Sequence, residues 1–212
     1  MNREEFESVA DRAQGCILGQ FAGDSLGSLV EFKSPIKIKQ EFPEGFKDLK
    51  GGGTWNTIPG QPTDDSEMAL ALIYSILEEG GYNPEAAKKA YIAWLNSGPF
   101  DCGITTASGL NGFPIEESQA NGALMRVSPI GIYGAGHELA EVAQWAMKDA
   151  ELTHPNLVCK QVNALMAMAI SYSIAYGTTS EELYAKIKGW ANEQGKRLLF
   201  LALKDFFEIF LC

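Results

Sequence analysis

Two adjacent carboxylates and a hydroxyl stand at the start of an apolar segment, within the run Pro62-Thr63-Asp64-Asp65-Ser66. Turn-forming glycines and prolines precede this run, and residues 68–77 form an apolar stretch typical of a helix. The three oxygen-bearing side chains are therefore predicted to lie at a helix N-terminus. Because Mg²⁺ prefers oxygen ligands, Thr63, Asp64 and Asp65 are candidate metal ligands. The alternative from the pattern alone is that one aspartate caps the helix and its neighbour complements the helix dipole.

A further candidate carboxylate, Glu31, follows a segment from about Val9 to Val30 that is predicted to be helical. This segment contains many small residues, and repeated glycine in a helix indicates that another part of the protein packs very close to it. Asp24 interrupts its small, apolar surface. The helix dipole disfavours a carboxylate at a helix C-terminus, which favours a functional role for Glu31. A solvated side chain at a frayed helix end is the alternative.

The polar residues in the second half of the chain are ambiguous when taken singly. The Gly- and Ser-rich passage 98–121 is predicted to be a loop, and long loops are often functional. It leads to Asn121-Gly122, which could expose backbone N–H groups to a ligand, although ordinary turns use the same pair. Arg126 is a candidate partner for a buried carboxylate or a phosphate. His154 stands at the mouth of a helix, where a lone histidine is more often structural than catalytic.

Helical periodicity dominates the rest of the chain, and no segment shows the alternation of a β-strand. Residues 66–79 are apolar nearly all round, as expected of a central helix, and Asn83 followed by Pro84 predicts the start of the next one. Residues 33–50 are predicted to be a surface loop. Further helices are predicted at 137–152, 155–177 and from 179 to about 195. The predicted fold class is all-α.

Composition and charge restrict the class of protein. The 212 residues are 46% hydrophobic and 21% charged, which suits a single globular domain over residues 1–212. A formal net charge of −10 argues against binding to nucleic acid or to an anionic membrane, because both interactions use basic surfaces. The four cysteines form no CxxC pair, and the N-terminus has no apolar signal segment. A reducing, cytoplasmic location is therefore expected.

Residues 196–212 form an anomalous apolar tail, interrupted by Lys204, Asp205 and Glu208. The tail is too short to span a bilayer comfortably. It is expected to pack on the core, to form an oligomer interface, or to be an unnatural ending of the kind that a shifted reading frame produces.

Four stretches taken together resemble the ADP-ribosylglycohydrolase family. They are Gly15-Cys16-Ile17-Leu18-Gly19 through Gly23-Asp24-Ser25-Leu26-Gly27 with Glu31, then residues 59–66, residues 121–126, and Leu152-Thr153-His154. Members of this family are all-helical, two-magnesium enzymes that remove ADP-ribose from modified proteins or small molecules. The resemblance implies that this chain is a hydrolase that cleaves a glycosidic bond of ribose with Mg²⁺ assistance. It also favours metal binding over simple capping at the start of the apolar helix.

The resemblance implies a role for each matching residue. Thr63, Asp64 and Asp65 would ligate magnesium, and Glu31 would be the catalytic acidic residue near the scissile ribose bond. The residues expected to lie along ADP-ribose are Ser118, Asn121, Gly122 and His154.

The sequence also departs from the family pattern. Family members carry a second metal motif, Asp-x-Asp-Thr, late in the chain, and this sequence contains no Asp-x-Asp. Family-like sequence extends to about residue 195, so a C-terminally shortened member with weak or absent turnover is expected. The alternatives are a non-catalytic remnant that binds ADP-ribose or a related nucleotide, and a helical interaction protein that associates through residues 196–212. The acceptor, arginine, serine or another, would be set by loop shape.

Overall fold

A computed structural model describes residues 3–193, and this part of the chain consists of helices joined by turns. The nine α-helices of the described range are α1 (Arg3–Gly27), α2 (Pro35–Glu41), α3 (Asp64–Glu79), α4 (Pro84–Asn96), α5 (Ile104–Leu110), α6 (Ser128–Tyr133), α7 (Leu139–Glu151), α8 (Leu157–Tyr176) and α9 (Ser180–Glu193). A short 3₁₀ turn covers Leu124–Arg126, and an isolated β-bridge joins Gly52 to Thr57. The all-α prediction is confirmed.

Local capping signals explain several helix boundaries. Asn83 caps α4 as predicted, because its side-chain oxygen accepts hydrogen bonds from the N–H groups of Glu85 and Ala86 at 3.0 and 3.3 Å. Helix α8 begins later than expected, after Asn156, whose side chain accepts from the Val158 N–H at 3.0 Å. Helices α3 and α8 both end at a glycine in the left-handed conformation.

Two passages predicted to be loops each contain a seven-residue helix. Within 33–50, Ser34 caps α2 and Pro35 opens it, a start signal that the charged surroundings concealed. Within 98–121, α5 forms after Gly103 although its sequence is rich in Thr, Ser and Gly. Tertiary packing overrides the weak helical propensity of this segment, because its Thr106, Gly109 and Leu110 are buried.

The main hydrophobic core lies between α3, α4, α6, α7 and α8. Its largest fully buried apolar side chains are Met68, Leu72, Tyr91, Val127, Ile130 and Val142. Helix α3 therefore lies centrally, as its apolar sequence predicted. A smaller cluster joins α8 to α9 through Leu165, Ala169, Ile187 and Ala191.

Helix α1 differs from its prediction in length and in packing. It covers Arg3–Gly27 rather than about 9–30. A Cβ atom added at Gly15, Gly19, Gly23 or Gly27 would meet no described atom within 4 Å. The close neighbour that these glycines predicted is therefore absent from residues 3–193. Helix α1 is held instead by longer side chains, among them Arg12, which donates to the Ile174 carbonyl at 2.7 Å.

Helix α8 is long and apolar enough to cross a membrane by length and composition, a test that the core helix of a globular protein also passes. It packs against α1, α6, α7 and α9 in the described fold. The predicted apolar tail, 196–212, and the oligomer interface proposed for it lie outside the described residues.

Candidate active site at the start of α3

Asp24, on α1, holds the turn that begins α3. Its Oδ1 accepts a hydrogen bond from the Thr63 hydroxyl at 2.7 Å, and its Oδ2 accepts one from the Ser66 hydroxyl at 2.6 Å. The backbone N–H groups of Thr63 and Ser66 also donate to Oδ2, at 2.9 and 3.2 Å. A carboxylate from another helix therefore caps α3, and neither Asp64 nor Asp65 is its N-cap. Both carboxylates are left for other interactions.

This capping arrangement fixes the polarity of the Thr63 hydroxyl. An ionised carboxylate only accepts hydrogen bonds, so the hydroxyl must donate its proton to Asp24. The oxygen lone pairs of Thr63 consequently face away from Asp24 and are available to a cation. Gln20 supports the same junction, because its Nε2 donates to the backbone carbonyls of Asp65 and Met125 at 3.3 and 2.9 Å.

Three aspartates crowd together beside this turn, and each has a raised pKa. Burial raises the pKa of Asp64, against the opposing effect of a hydrogen bond from the Gly103 backbone. Burial and the neighbouring charges, that of Asp64 first, raise the pKa of Asp65 to about 7. Burial, followed by the charge of Asp64 and a hydrogen bond shared with it, raises the pKa of Asp101 to about 6. Such mutual repulsion is what a bound cation would relieve.

Because the pKa of Asp65 is raised, we expect its carboxylate to lower the stability of the metal-free protein in a pH-dependent way. Its pKa is about 7 in the fold and near 3.8 ordinarily, so the folded state holds more protons than the unfolded state between these values. The folded protein accommodates the protonated carboxyl of Asp65 more easily than the ionised one. The free energy of unfolding therefore falls as pH rises from about 3.8 toward 7. With a chelator present, Asp65→Asn should raise the melting temperature by an amount that grows from about pH 5 to about pH 8. A difference that shrinks with pH would contradict this.

Glu31 lies four residues beyond the end of α1, and its predicted place on the helix C-terminus is therefore wrong. The side chain is half-buried, and its Oε2 accepts a hydrogen bond from the Trp55 indole N–H at 2.7 Å. The turn that carries Trp55 can approach α1 because Gly53 has a φ of 71° and no side chain. A Cβ at Gly53 would lie 2.4 Å from the Ser28 carbonyl oxygen.

These groups line one cavity of about 850 Å³. Its acidic lining residues are Asp24, Glu31, Asp64, Asp65 and Asp101. None of its described lining residues is lysine or arginine, so the cavity is strongly electronegative. An anionic ligand would need a metal ion or backbone N–H groups to enter it, whereas a cationic group would be attracted directly.

The structure brings most of the predicted ligand residues to this cavity. Asn121 and Gly122 line it, and so does His154, although the imidazole is fully buried behind Gly122. Ser118 does not line the cavity. Its hydroxyl pairs with that of Thr105 at 2.9 Å and accepts the Ala120 N–H at 3.3 Å, so it supports the cavity wall from behind.

Among the residues of the site that the sequence assigned no role are Asp24, Trp55 and Asp101. Asp24 is a charged residue within an otherwise small and apolar helix surface, and this pattern indicated that its side chain faces the protein interior. Trp55 followed a triple glycine, which indicated only a turn. Asp101 lies between two helices in a passage without periodicity, and nothing in its local sequence distinguished it from a surface aspartate.

Asp24→Asn is expected to invert the polarity at Thr63 while preserving the fold. The amide oxygen would accept from the two backbone N–H groups of α3, and the amide N–H would donate to the Thr63 hydroxyl oxygen. The Thr63 oxygen would then accept this hydrogen bond with one of its lone pairs, and its hydroxyl proton would point toward the cavity. If the Thr63 hydroxyl ligates Mg²⁺, as the family resemblance implies, Mg²⁺ affinity measured by calorimetry should fall about 10- to 100-fold with a small change in melting temperature. Unchanged affinity would contradict the role given to Asp24.

Fold and site together define an all-helical protein with an acidic cavity built on a helix N-terminus. The sequence profile of the ADP-ribosylglycohydrolase family matches residues 6–208. This chain belongs to the ADP-ribosylglycohydrolase family.

Several similar proteins carry names of the same kind. The chain is 37% identical, over 69% of its length, to the ADP-ribosyl-[dinitrogen reductase] glycohydrolase of Rhodospirillum rubrum, of which it covers 52%. It is 28% identical, over 84% of its length, to the ADP-ribosylarginine hydrolase Tri1 of Pseudomonas putida, of which it covers 51%. A solved structure described as an ADP-ribosylglycohydrolase-related protein complex matches 90% of the chain at 27% identity and a TM-score of 0.74, with 64% of that structure's chain covered. The chain thus spans about half the length of these two curated relatives.

Proposed function

We propose that this protein is an ADP-ribosylglycohydrolase that removes ADP-ribose from modified proteins or small molecules by hydrolysis of the glycosidic bond at ribose. One observation carries the proposal: the N-terminus of α3 presents the Thr63 hydroxyl, Asp64 and Asp65 to a cavity that the Asn121-Gly122 turn also lines. Family membership supports the reaction class. The cavity is large enough for a ligand of nucleotide size.

We propose Mg²⁺ as the cofactor, with Thr63, Asp64 and Asp65 as its protein ligands. Within residues 3–193, no group of three or more His, Cys, Asp or Glu side chains is arranged to hold a metal ion alone. Mg²⁺ is commonly held by one or two carboxylates completed by water and substrate oxygens, and a hydroxyl with two carboxylates fits this mode. When bound, it would neutralise diphosphate charge and polarise ribose oxygens. The family resemblance implies two such ions; the residues named here would hold one of them, and the sequence contains no Asp-x-Asp motif for the second.

Glu31 is proposed as the catalytic carboxylate. The Trp55 indole N–H holds its Oε2, whereas its Oε1 accepts no hydrogen bond from the described residues. Such a carboxylate can take up a proton from an attacking water or stabilise positive charge that develops at the ribose carbon. Asp64 and Asp101 share a hydrogen bond, and burial raises the pKa of both carboxyls, that of Asp101 to about 6.

We propose an arginine-linked ADP-ribose as the substrate. Beside Glu31, the cavity rim is aromatic: Trp55 packs edge-on against Phe32, with ring centroids 6.4 Å apart, and also contacts Phe100. A guanidinium group pairs with carboxylates and stacks on aromatic faces, so an electronegative, aromatic rim suits it. The name of the Pseudomonas relative, an ADP-ribosylarginine hydrolase, supports the same acceptor.

The test measures release of ADP-ribose from an ADP-ribosylarginine substrate, with Mg²⁺ and with a chelator, beside an ADP-ribosylserine substrate. We expect Mg²⁺-dependent release that is faster for the arginine substrate. Glu31→Gln should lower kcat and leave the dissociation constant of ADP-ribose nearly unchanged. Binding of ADP-ribose without release by the wild type would instead identify a non-catalytic binder. If the wild type neither binds ADP-ribose nor releases it from either substrate, the proposal is overturned.

We also propose a reducing, cytoplasmic location. Cys16, Cys102 and Cys159 are free thiols in the described structure. Burial raises the pKa of each, which keeps these thiols in the unreactive protonated form.

A further inference from the structure

A buried network of charged and hydroxyl groups lies behind the wall of the cavity. Arg126 is fully buried and pairs with the equally buried Asp149, its Nε donating to Oδ2 at 3.1 Å. Tyr91 donates to the other carboxylate oxygen at 2.9 Å, and its ring packs on the guanidinium, 4.3 Å from the centroid. The Arg126 Nη2 donates at 3.0 Å to the Thr153 hydroxyl. None of these four residues lines the cavity.

The direction of each hydrogen bond in this network can be deduced. A guanidinium group only donates, so the Thr153 oxygen must accept from Arg126. The remaining contact of that oxygen is with His154 Nδ1 at 2.7 Å. If Nδ1 carried a proton, the Thr153 hydroxyl proton would be buried without a described acceptor, at a cost of about 1–3 kcal/mol. The hydroxyl therefore donates to Nδ1, and the imidazole proton resides on Nε2.

The Nε2 atom of His154 stands beside Gly122 at the cavity wall. It is buried and has no hydrogen-bond partner among the described residues, and the same holds for the Thr106 hydroxyl. A Cβ added at Gly122 would lie 3.2 Å from Nε2 and 2.7 Å from the Thr106 oxygen. Two unpaired polar groups thus converge on one glycine, and all three residues line the cavity. Buried polar groups are normally paired, so this pair is available to a ligand or to a water molecule.

From this geometry we infer that Arg126 and Thr153 are positioning residues, which hold His154 in its Nε2–H tautomer and so present an N–H donor beside Gly122. The donor suits an oxygen of an anionic or sugar ligand in the cavity, and ADP-ribose as that ligand rests on the proposed function. Burial, and then the positive charge of Arg126, lower the pKa of His154 to about 4, which keeps the imidazole neutral at physiological pH. A neutral imidazole has one proton, and its position therefore decides whether the cavity side donates or accepts.

The test reads the tautomer directly by two-bond ¹H–¹⁵N correlation of the histidine side chains. The chain has two histidines, so a His137→Gln variant assigns both sets of signals. The full-length wild type should show His154 with its proton on Nε2. Thr153→Val removes the hydroxyl at nearly constant volume and should give the Nδ1–H form or a mixture. Thr153→Ser, which keeps the hydroxyl, should restore the wild-type pattern.

The same variants are compared for ADP-ribose affinity by calorimetry. Thr153→Val should weaken binding about tenfold, and Thr153→Ser should stay within about twofold of the wild type. An Nδ1–H tautomer in the wild type, or an unchanged tautomer in Thr153→Val, would overturn the inference. If the wild type binds no ADP-ribose, the proposed function fails, whereas the tautomer measurement still decides whether Thr153 positions His154.

Discussion

Asp149→Asn should lower the free energy of unfolding by about 3–5 kcal/mol, the largest stability change that we expect from a single side chain in this protein. Arg126 has no exposure to solvent, and the carboxylate of Asp149 is its charged partner at 3.1 Å. The asparagine would keep the shape but leave the guanidinium charge buried and uncompensated. Since whole domains are stable by about 5–15 kcal/mol, the variant should be unfolded or close to it at physiological temperature.

Urea denaturation followed by circular dichroism measures this effect. Asp48→Asn removes a carboxylate from an exposed position and serves as the matched control, with an expected change within about 0.5 kcal/mol. The double replacement Arg126→Met with Asp149→Leu removes both charges, so it should recover most of the lost stability. If the urea midpoint of Asp149→Asn equals that of the control, the buried Arg126–Asp149 pair does not need the negative charge of Asp149 for stability.

Asp65→Asn should have the largest effect on activity and the opposite effect on stability. If Asp65 ligates Mg²⁺, loss of its charge should reduce Mg²⁺-dependent release of ADP-ribose about a thousandfold, which corresponds to about 4 kcal/mol of transition-state stabilisation. The metal-free variant should nevertheless melt at a higher temperature at neutral pH, because burial and the neighbouring carboxylates raise the pKa of Asp65 to about 7. A site that is destabilising without its ligand is a common cost of function.

The measurement combines initial rates at saturating Mg²⁺ with melting curves in chelator. Asp48→Asn is again the control and should match the wild type in both. Retained activity in Asp65→Asn would exclude this carboxylate as a metal ligand. A lower melting temperature would show instead that the carboxylate stabilises the fold, in which case the aspartate cluster would be structural rather than a cation site.

Several features of the fold follow from the local sequence. The change from turn residues to an apolar run predicted where α3 begins, and Asn83-Pro84 predicted the start of α4 with its cap. These signals act within one turn of helix, where capping and side-chain periodicity dominate the free energy. The same reasoning missed α2 and α5, because short helices depend more on what they pack against than on their own propensity.

Much of the site also follows from the sequence once four stretches are compared with a family pattern. Their position before an apolar helix was enough to make Thr63, Asp64 and Asp65 candidate metal ligands. The structure places all three at the cavity. Arg126 was predicted to pair with a buried carboxylate or a phosphate, and the carboxylate is that of Asp149. The metal and the catalytic role of Glu31 stay predictions.

Tertiary structure alone decided which distant groups act on one another. Asp24 lies 39 residues before Thr63, yet its carboxylate sets the polarity of the Thr63 hydroxyl. Asp101, in the loop before α5, shares a hydrogen bond with Asp64, and the Ser118 hydroxyl pairs with that of Thr105 without lining the cavity. The sequence by itself determined the longer helices and the chemical types available, because these depend mainly on neighbours along the chain. The pairings depend on how helices pack across loops, and no local pattern encodes those distances.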